Sequence, residues 1–103
     1  MIKASFYGKE RLNGFSVIGH GTANGDDLDG KILCAAVSSA AYMTANTLTE
    51  VLSCECDITV KDGYMSLKVT NGIEKAQDVL KGFRLHLQQL AEQYSNIELN
   101  LEV

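Results

Sequence analysis

The stretch from Cys54 to Val69 constrains the fold more than any other. Cys54, Cys56, Ile58 and Val60 alternate with Glu55, Asp57, Thr59 and Lys61. A period of two puts these sets on opposite faces of a strand. Asp62-Gly63 follows, a pair suited to the positive φ angles of a two-residue hairpin turn. Met65, Leu67 and Val69 then alternate with Tyr64, Ser66 and Lys68. The pattern predicts an antiparallel hairpin with Cys54, Cys56, Ile58, Val60, Met65, Leu67 and Val69 facing inward. A lone hairpin is marginal in water, so its apolar face needs a covering layer.

The flanking segments supply that layer and more strands. Ile2, Ala4 and Phe6 alternate with Lys3, Ser5 and Tyr7, a half-buried strand, and Gly8-Lys9 reads as a turn. A second strand runs from about Arg11 to Gly19, with Phe15 and Val17 on one face and Ser16, Ile18 and His20 on the other. Alternatively, Asn13-Gly14 is itself the hairpin turn. A helix is predicted from about Lys31 to Leu52, with Asp29 as its N-cap. Its apolar residues lie nearly all round and its charges are few, so cover is expected on more than one side. The sheet gives one cover; a second helix or a second subunit gives the other. Asn71 and Glu74 have the spacing of a capping box for a second helix reaching about Tyr94. Ile73, Ala76, Val79, Leu80, Phe83, Leu87, Leu90, Ala91 and Tyr94 form its apolar stripe. Ile97, Leu99, Leu101 and Val103 alternate as a last strand. The chain has no proline, so Gly, Asn and Asp must punctuate it. The expected fold is α+β: a two-layer arrangement of a mixed sheet and two helices, in the order β-β-α-β-β-α-β, as one domain over residues 1–103.

Composition narrows the function. At 103 residues and 46% apolar, the chain is long enough for one core. A formal charge of −4 disfavours a general nucleic-acid binder, which needs a basic stripe to displace phosphate counterions. No apolar run is long enough to span a bilayer and no secretory leader is recognisable, so the cytoplasm is expected, with no membrane partner. Three cysteines cannot complete a disulfide framework, and reduced thiols are expected. Phosphate-loop, zinc-site and serine-elbow motifs are absent. Cys54 and Cys56 read as core rather than metal ligands, so neither metal nor cofactor is expected.

The chemically suggestive stretch is Gly19 to Ser39. Gly19-His20 ends the second strand, residues Gly21 to Gly30 form a loop, and Cys34 lies near the start of the first helix. A histidine leaving a strand and a cysteine in the first turn or two of a helix can meet across such a loop. A neighbouring imidazole or a helix N-terminus favours the thiolate, which is the nucleophile. The competing reading is packing: Ile32-Leu33-Cys34-Ala35-Ala36-Val37 is apolar, and free cysteine is commonly buried. His86, on the second helix, is the other histidine. Asp29 suits capping, and Asp26 and Asp27 are open between holding the loop and orienting His20.

Gly19-His20 together with Cys34-Ala35-Ala36-Val37-Ser38, on this strand-loop-helix background, resembles the ribosomal-processing cysteine proteases of bacteria. The resemblance implies a cytoplasmic, homodimeric endopeptidase that removes the N-terminal extension of a large-subunit ribosomal protein, the one numbered twenty-seven, from its precursor. By position it makes Cys34 the nucleophile and His20 the general base. Gly19 then allows a tight strand end, Ser38 is a supporting polar group, and Gly21 and Asp29 lie in or beside a loop that moves to admit peptide. The spacing of fourteen between His20 and Cys34 is longer than is usual in the family. Lys31 stands where an aspartate is usual and favours a thiolate by charge. The alternative function is a non-catalytic dimeric binding or ribosome-assembly protein of the same fold, with Cys34 in the core.

Overall fold

The computed structural model describes residues 1–19 and 28–101. Its elements are β1 (Ile2–Tyr7), β2 (Gly14–Gly19), α1 (Leu28–Asn46), a π-helical turn (Thr47–Val51), β3 (Glu55–Lys61), β4 (Tyr64–Asn71), α2 (Ile73–Gln93) and β5 (Ile97–Asn100). The strands form one sheet in the order β3-β4-β2-β1-β5. β1 and β5 pair in parallel, and the other neighbours are antiparallel. The mixed sheet, two helices and α+β order agree with the sequence pattern.

The core lies between sheet and helices. Ile2, Ala4 and Phe6 of β1, Phe15 of β2, and Met65, Leu67 and Val69 of β4 are buried under Leu33, Val37 and Ala41 of α1 and Ala76, Leu80, Phe83 and Leu87 of α2. Phe6, Phe15 and Phe83 meet as a triad, the last two edge to face with ring centroids 4.8 Å apart. That geometry sets the positive ring edge against the negative face. Asn13-Gly14 is not the hairpin turn: Gly14 pairs with both Tyr7 and Lys68 inside the sheet. A side chain there would collide with the Leu67 carbonyl, so glycine allows the strands to close.

Four expectations are corrected. First, β3 is an edge strand, and the helical layer leaves its apolar face partly open. Cys54, just before it, is buried, but Ile58 and Val60 on the helix side of the sheet are 42% and 49% exposed. Alternation identifies a face but says nothing of whether a helix lies over it. Second, the loop end Leu28-Asp29-Gly30 belongs to α1, so Asp29 sits in its first turn and is not the N-cap. Gly30 is buried there, and packing overrides its poor helix propensity. Third, Asn71 completes β4, and the cap of α2 is Gly72 at φ 93°, with no side-chain cap bond. The capping box is not formed; Glu74 pairs with Arg11 instead, at 2.6 Å. Fourth, the first helix does not stay α-helical to Leu52. Thr44, Thr47 and Thr49 donate their hydroxyls to the carbonyls of Ala40, Met43 and Ala45. Such bonds compete for helical carbonyls and loosen the ladder. The chain widens to a π turn, in which the Leu52 amide bonds the Thr47 carbonyl.

Leu12 is buried, although the sequence pattern did not single it out. The Gln77 amide holds its backbone on both sides: Leu12 N–H donates to Oε1, and Nε2 donates to the Leu12 carbonyl, each at 2.8 Å. This clamp ties the β1–β2 connection to α2. Gln77→Ala leaves both backbone groups without that partner and is expected to cost about 1–3 kcal/mol. Urea denaturation should show a lower midpoint with an unchanged slope.

Candidate active site

The placement of Cys34 follows from the phase of α1. Leu33, Val37, Ala41 and Thr44 are buried and face inward. One residue on, a helix turns about 100°, so Cys34, Ser38 and Tyr42, at i, i+4 and i+8, form a row along the helix flank. That flank faces away from α2 and towards β3. Cys34 is partly buried, whereas Ser38 and Tyr42 are exposed. All three line a cavity of about 300 Å³. Val37 and Ala41 of α1, Val17 and Gly19 of β2, Val60 and Lys61 of β3, Met65 of β4 and the hairpin tip Asp62-Gly63-Tyr64 complete its described wall. Cys34 therefore lines a cavity and is only partly buried.

Gly19 lies at the end of β2 with φ 99°. A side chain there would collide with the Met1 carbonyl, so both conformation and space require glycine. Its amide donates to the Gly63 carbonyl at 2.8 Å, fastening the end of β2 to the β3–β4 turn. Among the predicted site residues, Gly19, Cys34 and Ser38 come together around one cavity. Asp29 is exposed in the first turn of α1 and is not among the cavity's described residues. His20 and Gly21, with Asp26 and Asp27, lie outside the described residues. Sequence reasoning missed Tyr42, Val60, Asp62 and Tyr64. Asp62 reads in the sequence as a turn former and Val60 and Tyr64 as ordinary strand positions, and nothing in the pattern singles out Tyr42. His86 lines a separate hollow between α1 and α2, away from Cys34.

Several observations separate the three thiols. Cys54 is buried and donates to the Gly72 carbonyl at 3.5 Å. Burial, then the neighbouring Cys54 and Asp57, pushes the Cys56 thiol above its ordinary pKa. All three cysteines are free. Among the described residues, no group of three or more His, Cys, Asp or Glu could hold a metal ion, and no helix is long and apolar enough to cross a membrane. The arrangement sets the half-buried Cys34 in the wall of a cavity lined by both apolar and polar residues, which suits nucleophilic attack on a bound chain.

Comparison with known proteins agrees with that chemistry. The family model described as cysteine protease Prp matches residues 1–98. The chain belongs to the Prp family of cysteine proteases. Membership makes it a cysteine protease and sets aside the non-catalytic alternative. Solved structures share the fold. The chain is similar to SMU.848 from Streptococcus mutans, with a TM-score of 0.85 at 27% identity, covering 99% of this chain and 97% of that one. It is also similar to the essential ribosomal processing protease Prp from S. aureus, solved with a covalently linked product peptide (TM-score 0.84) and with a substrate peptide (TM-score 0.85). Both comparisons are at 23% identity and cover 98% of this chain and 99% of that chain. Curated proteins return no match in sequence.

The thiol environments predict a labelling order. At neutral pH, iodoacetamide should modify Cys34 first, read by peptide mass mapping. Cys56 should lag because its raised pKa keeps the unreactive thiol form, and its labelling should climb only as pH passes above the ordinary thiol range. Cys54 should react only after unfolding.

Proposed function

We propose that this protease removes the N-terminal extension of the large-subunit ribosomal protein numbered twenty-seven, using Cys34 as nucleophile and His20 as general base. The observation that carries the reading is the half-buried Cys34 in the wall of a cavity that Gly19, the residue before His20 in the sequence, also lines. In this mechanism the imidazole takes the Cys34 proton and the thiolate attacks the scissile carbonyl. The tetrahedral intermediate collapses as the imidazolium protonates the leaving amine, and a thioester remains. Water, deprotonated by the same imidazole, then adds to the thioester carbonyl. Collapse releases the acid and returns the proton to sulfur.

Cys34 lies six residues beyond Leu28. The helix dipole acts mainly within the first turn, so activation of the sulfur falls chiefly to His20. Lys31, one turn before Cys34, adds a favourable positive charge. Ser38, one turn after it, supplies a hydroxyl to bound peptide. The S. aureus protein, described as a ribosomal processing protease and solved with a covalently linked product peptide, supports the assignment of a ribosomal precursor as substrate. We assign the working form as a cytoplasmic homodimer. The helical layer supports this: Leu28, Ile32, Met43 and Leu85 are exposed apolar residues on α1 and α2.

Purified protein mixed with the precursor should release the extension, read by mass spectrometry. Cys34→Ala should abolish cleavage, and His20→Ala should lower kcat by roughly 10²–10⁴-fold. Undiminished cleavage by Cys34→Ala would overturn the assignment.

A further inference from the structure

Both helices pack on one face of the sheet. On the opposite face the strand register aligns the side chains in rungs. Ser5 of β1 stands opposite Ser16 of β2, Ser16 opposite Ser66 of β4, and Ser66 opposite Thr59 of β3. The middle of this face is thus a trench of short hydroxyls. Tyr7, Gly14 and Lys68 form the rung on one side of it, and Ile18 and Tyr64 stand on the other. Gly14 interrupts its rung and leaves a gap between Tyr7 and Lys68. Around that gap Tyr7, Asn13, Ser16, Tyr64, Ser66 and Lys68 line a hollow of about 440 Å³, a volume in the range of small-molecule sites. Ser16 is only 5% exposed although it faces away from the helices. Its Oγ lies 2.8 Å from the Tyr7 hydroxyl. Tyr7 starts on β1 opposite Gly14, so this bond draws its ring across to β2 and holds it close to the sheet.

We propose that this hollow binds a nucleotide, an aromatic base carrying a phosphate, either free or as one residue of a single-stranded RNA. The site is separate from Cys34 and does not depend on the role of that residue. Tyr7 and Tyr64 offer ring faces on which a base can stack, and the Ser16 bond has already ordered the first of them. The hydroxyls and the Asn13 amide supply donors and acceptors for a base edge and a ribose. Lys68 supplies a cation for the phosphate; it lines the hollow, whereas Asp57, opposite it on β3, does not. A neutral sugar would leave that cation unused. The net charge of −4 opposes binding through many phosphates, but a site for one phosphate needs one cation and no basic stripe.

Tyr64 also borders the Cys34 cavity, so the test variants are made at Tyr7 and Lys68. The intact protein is titrated by calorimetry with ribonucleoside monophosphates, the matching nucleosides, inorganic phosphate and short single-stranded RNA. At least one monophosphate or RNA should bind saturably, more tightly than its nucleoside and than inorganic phosphate. Tyr7→Ala should weaken that binding by roughly 10-fold or more, and Tyr7→Phe, which keeps the ring, by much less. Lys68→Ala should reduce a monophosphate to the affinity of its nucleoside. The salt dependence should be shallow, with a log–log slope of about 1. Iodoacetamide should alkylate Cys34 at the wild-type rate in every variant, which shows the fold intact. Should Tyr7→Ala not fold, Tyr7→Phe and the exposed Lys68→Ala still decide. RNA binding tighter than any monophosphate makes RNA the source of the nucleotide; equal or weaker binding makes it a free nucleotide. Absence of saturable binding would overturn the proposal. So would affinity unchanged by Lys68→Ala and Tyr7→Ala, inorganic phosphate binding as well as the nucleotides, or a salt slope of several, which marks diffuse attraction.

Discussion

The packing of α1 against the sheet determines what Cys34 can do. Leu33 and Val37 bracket the cysteine and are essentially inaccessible. Each large aliphatic side chain buried in this way contributes on the order of 1.5–3 kcal/mol relative to exposure. Their burial fixes the rotation of the helix about its axis. Cys34 follows as a consequence of phase: it cannot point into the core while Leu33 and Val37 occupy it. A rotation that hid the sulfur would expose both aliphatic residues. The place of Cys34 on the cavity wall is therefore enforced by core energetics that do not involve the sulfur.

The opposite wall is positioned by the sheet. The β3–β4 turn projects beside the end of β2, and the Gly19–Gly63 backbone bond joins them. Glycine at Gly19 permits the positive φ and the close approach to the Met1 carbonyl together. The cavity thus lies where three independent segments converge: a helix flank, a strand end and a hairpin tip. Each belongs to an element anchored in the core, so the described wall does not depend on a long unsupported loop. Gln77 and the phenylalanine triad act elsewhere on the same face of the sheet, holding α2 over β1 and β2.

Alternation in the sequence made β1, β4 and the Asp62-Gly63 turn legible, and the stripe of α2 emerged with the same clarity. In each case the local pattern and the tertiary environment agree. β3 has a similar alternation to β4, yet Ile58 and Val60 are uncovered. The difference is position in the sheet, which depends on strand order and not on local pattern. Asn71 and Glu74 likewise carry a sound capping signature, but the ladder of β4 claims Asn71 before the helix begins. At the site, Gly19 and Cys34 were marked by their spacing and Ser38 by the family resemblance. Tyr42, Val60 and Tyr64 were not, because a residue's place on a cavity wall is set by segments far from it in the chain.

The π turn at the end of α1 has a consequence for how such a chain tolerates changes in length. Its i to i−5 bond encloses one residue more than an α turn, so it forms a small reservoir of slack between the helix and β3. A residue gained or lost there can be absorbed by winding or unwinding that turn, and the angular setting upstream stays as it was. A residue gained between Leu33 and Tyr42 has no such outlet and would swing one side of the row by about 100° relative to the other. A change of one residue in length is thus better absorbed at the far end of α1 than beside Cys34.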